Sequence, residues 1–339
     1  MSDDYLWDRR GPADPEVARL ERVLGRLRTE PPMPDWNRVA PRAGGVRHFS
    51  AAYLAAAAAL VVACGASVWL ARGAAGTAAP SWAVVRVTGQ PVVGEEQVVE
   101  AGRLPVGAWL QTDPDSRASV AIADIGRLDV DPGTRLQLLG TREGNHRVAL
   151  QRGTVHALIW APPGEFVVET EASTAIDLGC AYTLTVAPGG NGMIEVSMGW
   201  VGFEHGGREA FIPAGARCAT RPGVGPGTPY YADIGEPMRQ AIDRLDFAAL
   251  DPAARRRALG AILADARPKD AMTLWHLLAR VPAEDRDPVF DHLARLVPPP
   301  ASVTREGIRA GNRAMRDAWW DTLGLGTSSW WRIWERSWR

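Results

Sequence analysis

Lysine is nearly missing from this sequence: Lys269 is the only one in 339 residues, and the rest of the positive charge is arginine. Such usage points to a GC-rich bacterial genome. With 39 Asp plus Glu against 38 Lys plus Arg, the formal charge is −1, which argues against a surface built to track nucleic-acid phosphates. Cysteine is also sparse. Cys64, Cys180 and Cys218 are too few for a disulfide-dense scaffold and lack the spacing of a zinc site. The histidines, His48, His146, His156, His205, His276 and His292, are scattered without ligand spacing. A phosphate loop, a G-x-S-x-G elbow and a Cys/His pairing are likewise missing. No catalytic residue, cofactor site or metal site is therefore expected, nor an enzyme. His276, in TLWHLL, reads as a residue at a helix packing edge.

What is present begins with Phe49–Ala71, FSAAYLAAAAALVVACGASVWLA, a run of 23 residues without a charge. As a helix it would rise about 34 Å, against a hydrocarbon core of about 30 Å. Alanine contributes little to insertion, so Phe49, Leu54, Leu60, Val61, Val62, Val68 and Leu70 supply about −2 to −4 kcal/mol. The run is apolar all round, unlike an alanine-rich core helix with its polar face. Some fifty polar residues precede it, unlike a cleaved signal peptide. One transmembrane helix over 49–71 is the expectation. Arg38, Arg42 and Arg47 before it, against Arg72 alone until Arg86 after it, orient the N-terminus toward the cytoplasm. Ala51, Ala55, Ala59, Ala63, Ser67 and Ala71 form a small-residue stripe along which a homodimer could pack.

Residues 1–48 read as a short cytoplasmic arm with one amphipathic helix, opened by Asp14-Pro15. Val17, Leu20, Val23, Leu24 and Leu27 share its apolar face. A lone helix of this length is marginal in water, so the stripe calls for a partner: a protein, a second copy, or lipid headgroups drawn by Arg19, Arg22, Arg26 and Arg28. A disordered tether is the alternative. EPPMPDWNRVAPRAGG then reads as a linker.

From Trp82 to about Thr220 the pattern changes to short alternating runs punctuated by Gly and Pro, the mark of an all-β unit. RASVAIAD sets Ala118, Val120 and Ile122 on one face. Leu128 and Val130 lead to a turn at Asp131-Pro132-Gly133, followed by Leu136 and Leu138. Val148 and Leu150 precede a kink at Gly153, then Val155, Ala157 and Ile159. Ile176 and Leu178 precede a break at Gly179, then Tyr182, Leu184 and Val186. LQRGTVHAL and VSMGWVGFE resemble each other at a distance of 46 residues, each with Gly between two apolar strand halves. This spacing suggests a coil repeated along an axis.

WAVVRVTGQ, SRASVAIADIGRLDVDPGTRLQLL, LQRGTVHALI, FVVETEASTAIDLGCAYTLTV and VSMGWVGFEHGGREAFIPAGARC resemble, in that order, segments of the FecR domain of membrane-anchored regulators related to anti-sigma factors. The resemblance covers about 140 residues. It implies a β-rich, solenoid-like periplasmic domain over 82–220 and transmembrane signalling to an extracytoplasmic-function sigma factor. Cys180, in Leu178-Gly179-Cys180-Ala181-Tyr182, stands where family members commonly carry Thr. The arm lacks the His and Cys-x-x-Cys pattern of zinc-type anti-sigma domains and is short for a four-helix sigma-binding unit. In an oxidising periplasm Cys180 and Cys218 could pair, closing a 39-residue loop and stabilising by up to about 4 kcal/mol; two buried thiols are the alternative.

RPGVGPGTPYY reads as a linker, because no βαβ unit surrounds its glycines. Residues 234–339 then read as an all-α bundle of helical hairpins. One helix opens at Asp251-Pro252 with Ala258, Leu259, Ile262 and Leu263 inward. Others carry Leu274, Leu277 and Leu278, then Val289, Phe290, Leu293 and Leu296; TREGIRAGNRAMRDAWWDTLG supplies a fourth. Trp330, Trp334 and Trp338, four apart with Arg332, Arg336 and Arg339 around them, form a stripe suited to a partner, a membrane interface or the chain's own domain. The whole reads as a multidomain α and β chain: a single-pass inner-membrane regulator with a sigma factor as cytoplasmic partner and an envelope protein as periplasmic partner. A membrane-tethered envelope scaffold without sigma control is the second expectation.

Overall fold

A computed structural model describes residues 80–331, with side chains through Ser329; all belong to the compact unit Gly76–Arg339. The alternating runs fold into eighteen strands. The first nine are β1 (Ser81–Thr88), β2 (Val92–Val93), β3 (Glu96–Gln97), β4 (Ala101–Pro105), β5 (Trp109–Gln111), β6 (Arg117–Ile122), β7 (Gly126–Val130), β8 (Arg135–Arg142) and β9 (Asn145–Ile159). The others are β10 (Phe166–Glu169), β11 (Thr174–Asp177), β12 (Ala181–Val186), β13 (Gly192–Met198), β14 (Trp200–His205), β15 (Arg208–Pro213), β16 (Ala216–Arg221), β17 (Gly225–Pro226) and β18 (Tyr230–Tyr231).

Pairing sorts them into two sheets that share one strand. One sheet runs β4-β1-β6-β7-β9-β12-β13-β16, with β17 and β18 beyond β16. The other runs β3-β2-β5-β8-β9-β10-β11-β14-β15. Strand β9 belongs to both, because it bends at Gly153. Before the bend His146, Val148 and Leu150 are buried; after it Val155, Ala157 and Ile159 are. The inward set changes from even to odd numbers, which a straight strand of period two cannot do. Gly153 has φ +100°, and a Cβ there would lie 2.3 Å from the Thr134 Cα, so only glycine fits. Gly199 repeats the device between β13 and β14, with φ +69° and a Cβ position 2.0 Å from the Gly179 oxygen.

The 46-residue resemblance therefore marks two corners where the chain changes sheets, and the expected solenoid is corrected. Coils stacked along an axis would pair their strands in parallel, whereas every ladder here is antiparallel except β9 with β10.

The helices are α1 (Glu236–Phe247), α2 (Pro252–Asp265), α3 (Ala271–Arg280), α4 (Arg286–Leu296), α5 (Arg305–Arg309), α6 (Arg313–Trp320) and α7 (Ser328–Trp331). Asp251 caps α2 as expected, accepting from the Ala254 N–H and stabilising by about 1 kcal/mol. The expected fourth helix is split at Gly311, φ +78°, and Asn312 caps the second piece by accepting from the Met315 N–H.

These helices do not form a separate bundle, a second correction. Buried side chains of α1, α2, α3, α4 and α6 belong to one apolar core with those of both sheets. The RPGVGPGTPYY stretch is likewise part of the fold, its middle and its end pairing with β16 as β17 and β18. Among the described residues no helix is long and apolar enough to cross a membrane; the longest, α2, has 14 residues. The described fold is thus two joined sheets with helices packed on them, in place of the expected solenoid and separate bundle. Phe49–Ala71 and the arm with Val17, Leu20, Val23, Leu24 and Leu27 lie outside the described residues.

Candidate functional site

An edge strand presents unpaired N–H and C=O groups, and β15 would do so had α3 not covered it. The α3 sequence AMTLWHLLAR places His276 and Arg280 four apart, on one helical face. His276 is 2% exposed, and its Nε2 accepts from the Phe211 N–H at 3.0 Å. That bond leaves Nδ1 as the protonated nitrogen, donating to the Met272 oxygen at 2.8 Å. The ring is therefore neutral. Burial, with Arg280 nearby, holds its pKa well below the usual histidine value.

Arg280 completes the seam. Its Nη2 donates to the Glu209 oxygen at 3.0 Å and the Gly227 oxygen at 2.8 Å, and its Nη1 to the Pro226 oxygen at 3.0 Å. Burial pushes its pKa down to about 10, against the attraction of Asp246, and Arg208 and Arg316 push in the same direction as burial. Asp246, on α1, is itself buried and takes three donors: Arg208 at 2.7 Å, the Thr228 hydroxyl at 3.0 Å and the Thr228 N–H. Three satisfied donors are what a buried carboxylate requires.

Aromatic rings close the interior of the seam. Trp320 of α6 lies 5.9 Å from Trp200 of β14, 6.0 Å from Phe211 of β15 and 4.7 Å from Trp275 of α3, all edge to face. Such pairs add about 0.5–1.5 kcal/mol each beyond their burial. Above this cluster opens a cavity of about 380 Å³, bordered by the Gly206-Gly207 turn, Arg208, Glu209, Trp275, His276, Ala279, Arg280 and Arg316. It is the candidate binding site. The sequence placed His276 at a packing edge, but its bond to Phe211 spans 65 residues, so local spacing could not reveal it. The i, i+4 placement of His276 and Arg280 in an otherwise apolar helix was the available signal.

A second buried polar group lies at the β11–β12 corner. Asp177 is 1% exposed and accepts from the Gly179 N–H at 2.7 Å and from the Cys180 thiol. Burial raises its pKa to about 7, against the hydrogen bonds from Cys180 and Gly179. Burial, then the Asp177 charge, pushes the Cys180 thiol well above its usual value, so it is a hydrogen-bond donor and not a nucleophile. The tyrosine two residues on, Tyr182, is buried with its hydroxyl lacking a partner.

Cys180 and Cys218 are both free thiols and both buried. Cys218 belongs to the other region, the seam, where its Sγ donates to the Gly227 oxygen at 3.2 Å and burial pushes its pKa up to about 12. The two thiols therefore serve different acceptors and are not joined. Trp330 falls in α7, while Trp334 and Trp338 lie outside the described residues. Among the described residues no group of His, Cys, Asp and Glu could hold a metal ion.

No family model matches the chain, and no curated protein is significantly similar to it. Among solved structures it is similar to two crystal structures of a "putative anti-sigma factor" from Parabacteroides distasonis ATCC 8503. The first shares 13% identity with a TM-score of 0.33, over 39% of this chain and 63% of that one. The second shares 14% identity with a TM-score of 0.33, over 43% of this chain and 78% of that one. The chain thus spans less than two thirds of the first structure's length, and likeness of this degree fixes neither fold nor function.

Proposed function

We propose that the chain is an anti-sigma-type regulator whose region 82–339 receives a cue and whose residues 1–48 act on an extracytoplasmic-function sigma factor. The observation that carries this reading is how the FecR-like segments assemble. LQRGTVHALI lies within β9, FVVETEASTAIDLGCAYTLTV runs through β10, β11 and β12, and VSMGWVGFEHGGREAFIPAGARC runs from β13 to β16. Segments that resemble one family in order thus build one continuous core. In this reading the domain binds and does not catalyse.

Location at the bacterial inner membrane, with residues 82–339 on the periplasmic side, belongs to the same proposal. It rests on the uncharged run 49–71 and the arginines that flank it. An envelope protein is the periplasmic partner in this reading, and self-association through the small-residue stripe gives a homodimer.

Deleting residues 1–30 and measuring transcription from the regulon of the associated sigma factor tests the proposal. Derepression or silencing is expected. Unchanged transcription contradicts sigma control and leaves the tethered envelope scaffold. Protease added to intact spheroplasts tests the location: the large C-terminal portion should be digested, and its protection would contradict periplasmic exposure.

A further inference from the structure

We propose that the cavity above α3 is a binding site for a small oxyanion, a carboxylate or phosphate group carried by a low-molecular-weight ligand, with Arg280 as its central donor. Three guanidinium groups, those of Arg208, Arg280 and Arg316, line one cavity of about 380 Å³, a volume at the small end of ligand pockets. Arg208 is tied to the Asp246 carboxylate. Arg280 differs, because its hydrogen-bond acceptors are all backbone carbonyls. It is held in place by neutral groups, and its buried Nε has no hydrogen-bond partner.

A guanidinium carries five N–H donors in a fixed plane; three of those of Arg280 are taken by carbonyls, which fix the orientation of the remaining two toward an oxyanion. Its depressed pKa has the same origin: burial and two neighbouring arginines disfavour a charge that Asp246 offsets only in part. An anion in the cavity would relieve that imbalance. The size of the cavity leaves room for more than an inorganic ion, and in its wall the Arg316 guanidinium lies over the buried Trp275 ring, 5.0 Å from its centroid. The Gly206-Gly207 turn carries no side chains across the border, and a Cβ at either position would meet nothing within 4 Å.

That this ligand is the cue of a regulator rests on the function proposed above; that it binds does not. Isothermal titration of the purified full chain with inorganic phosphate, acetate and citrate, at constant ionic strength in chloride, tests binding. Saturable one-to-one binding of at least one of these is expected. Arg280→Gln should weaken it at least tenfold. Because that change also removes the donors to three carbonyls, Ala279→Glu provides a variant that leaves the seam intact. Ala279 is exposed on α3 at the cavity wall, so a carboxylate there should abolish binding with no loss of thermal stability. Arg221→Gln, at the exposed Arg221–Asp243 pair, should bind as the unaltered chain does. Absence of saturable binding by all three anions overturns the site, as does binding that survives Ala279→Glu. Binding lost in Ala279→Glu with sigma-dependent transcription unchanged upholds the site and removes its role as the cue.

Discussion

Two of the outer strands, β15 and β4, are treated in opposite ways. Strand β15 is sealed: the Phe211 N–H is taken by His276, the Glu209 carbonyl by Arg280, and the rings of Trp200, Phe211 and Trp320 pack beneath. Strand β4 pairs only with β1 among the described residues, and Val85, Val87 and Val99 near it are 50%, 57% and 72% exposed. The β4 edge carries the charged Arg103 and ends at Pro105, which discourage pairing with other chains. A buried edge must instead find a protein partner for every polar group. The cost of burial explains why a neutral histidine and an arginine sit in an apolar helix.

This difference can be broken most severely at Trp320. Replacing it with Ala should cost about 3–5 kcal/mol in urea unfolding, the range for a buried aromatic, because it opens the seam between α6, α3 and the strands. Next comes His276→Leu, which leaves the Phe211 N–H buried without its acceptor and should cost about 1–3 kcal/mol. His276 also carries a pH dependence. Its folded pKa is depressed, so below about pH 6.5 the unfolded chain binds a proton that the folded chain does not. Stability should fall as the pH drops through that range, and His276→Leu should remove this dependence.

Asp177 belongs to neither edge, and its pH dependence runs the other way. With a folded pKa of about 7 against about 3.9 when unfolded, the folded chain holds the extra proton between those values. The stability this group contributes is present below about pH 4 and is lost as the pH rises to 7. Asp177→Asn should therefore gain stability relative to the unaltered chain across that window, as read from urea midpoints at pH 4, 5, 6 and 7. Beside it, Cys180→Thr keeps a donor to Asp177 and should stay within about 1 kcal/mol. The smallest effect is expected at the open edge, where Val99→Thr should change stability by no more than about 0.5 kcal/mol.

Local elements were legible in the sequence to the extent that their causes are local. The alternation of Ala118, Val120 and Ile122 is strand β6, the Asp131-Pro132-Gly133 turn joins β7 to β8, and Asp251-Pro252 opens α2. Leu274, Leu277 and Leu278 are buried as expected, and so are Val289, Phe290 and Leu293. What failed depends on distant pairing. A glycine between two strand halves has the same appearance whether the chain coils onward or changes sheets, and only the partners of β9, β13 and β14 decide. The seam was hidden for a related reason: RPGVGPGTPYY reads as a linker until Arg208 and Arg280 are seen holding the Pro226 and Gly227 carbonyls. Arginine and histidine in an apolar helix carry no label naming the backbone groups they will meet.

Sheets and helices share one core, joined where α3 closes β15, and should unfold as one cooperative body. Native-state hydrogen exchange on the full chain measures this directly, through the denaturant dependence of individual amides. The Phe211 amide and those of α3 should open at the same free energy as the central strands β9 and β12, in a single global event. Exchange of α3 and Phe211 at a clearly lower free energy, with β9 and β12 still protected, would show a separable helical bundle and contradict a single cooperative body.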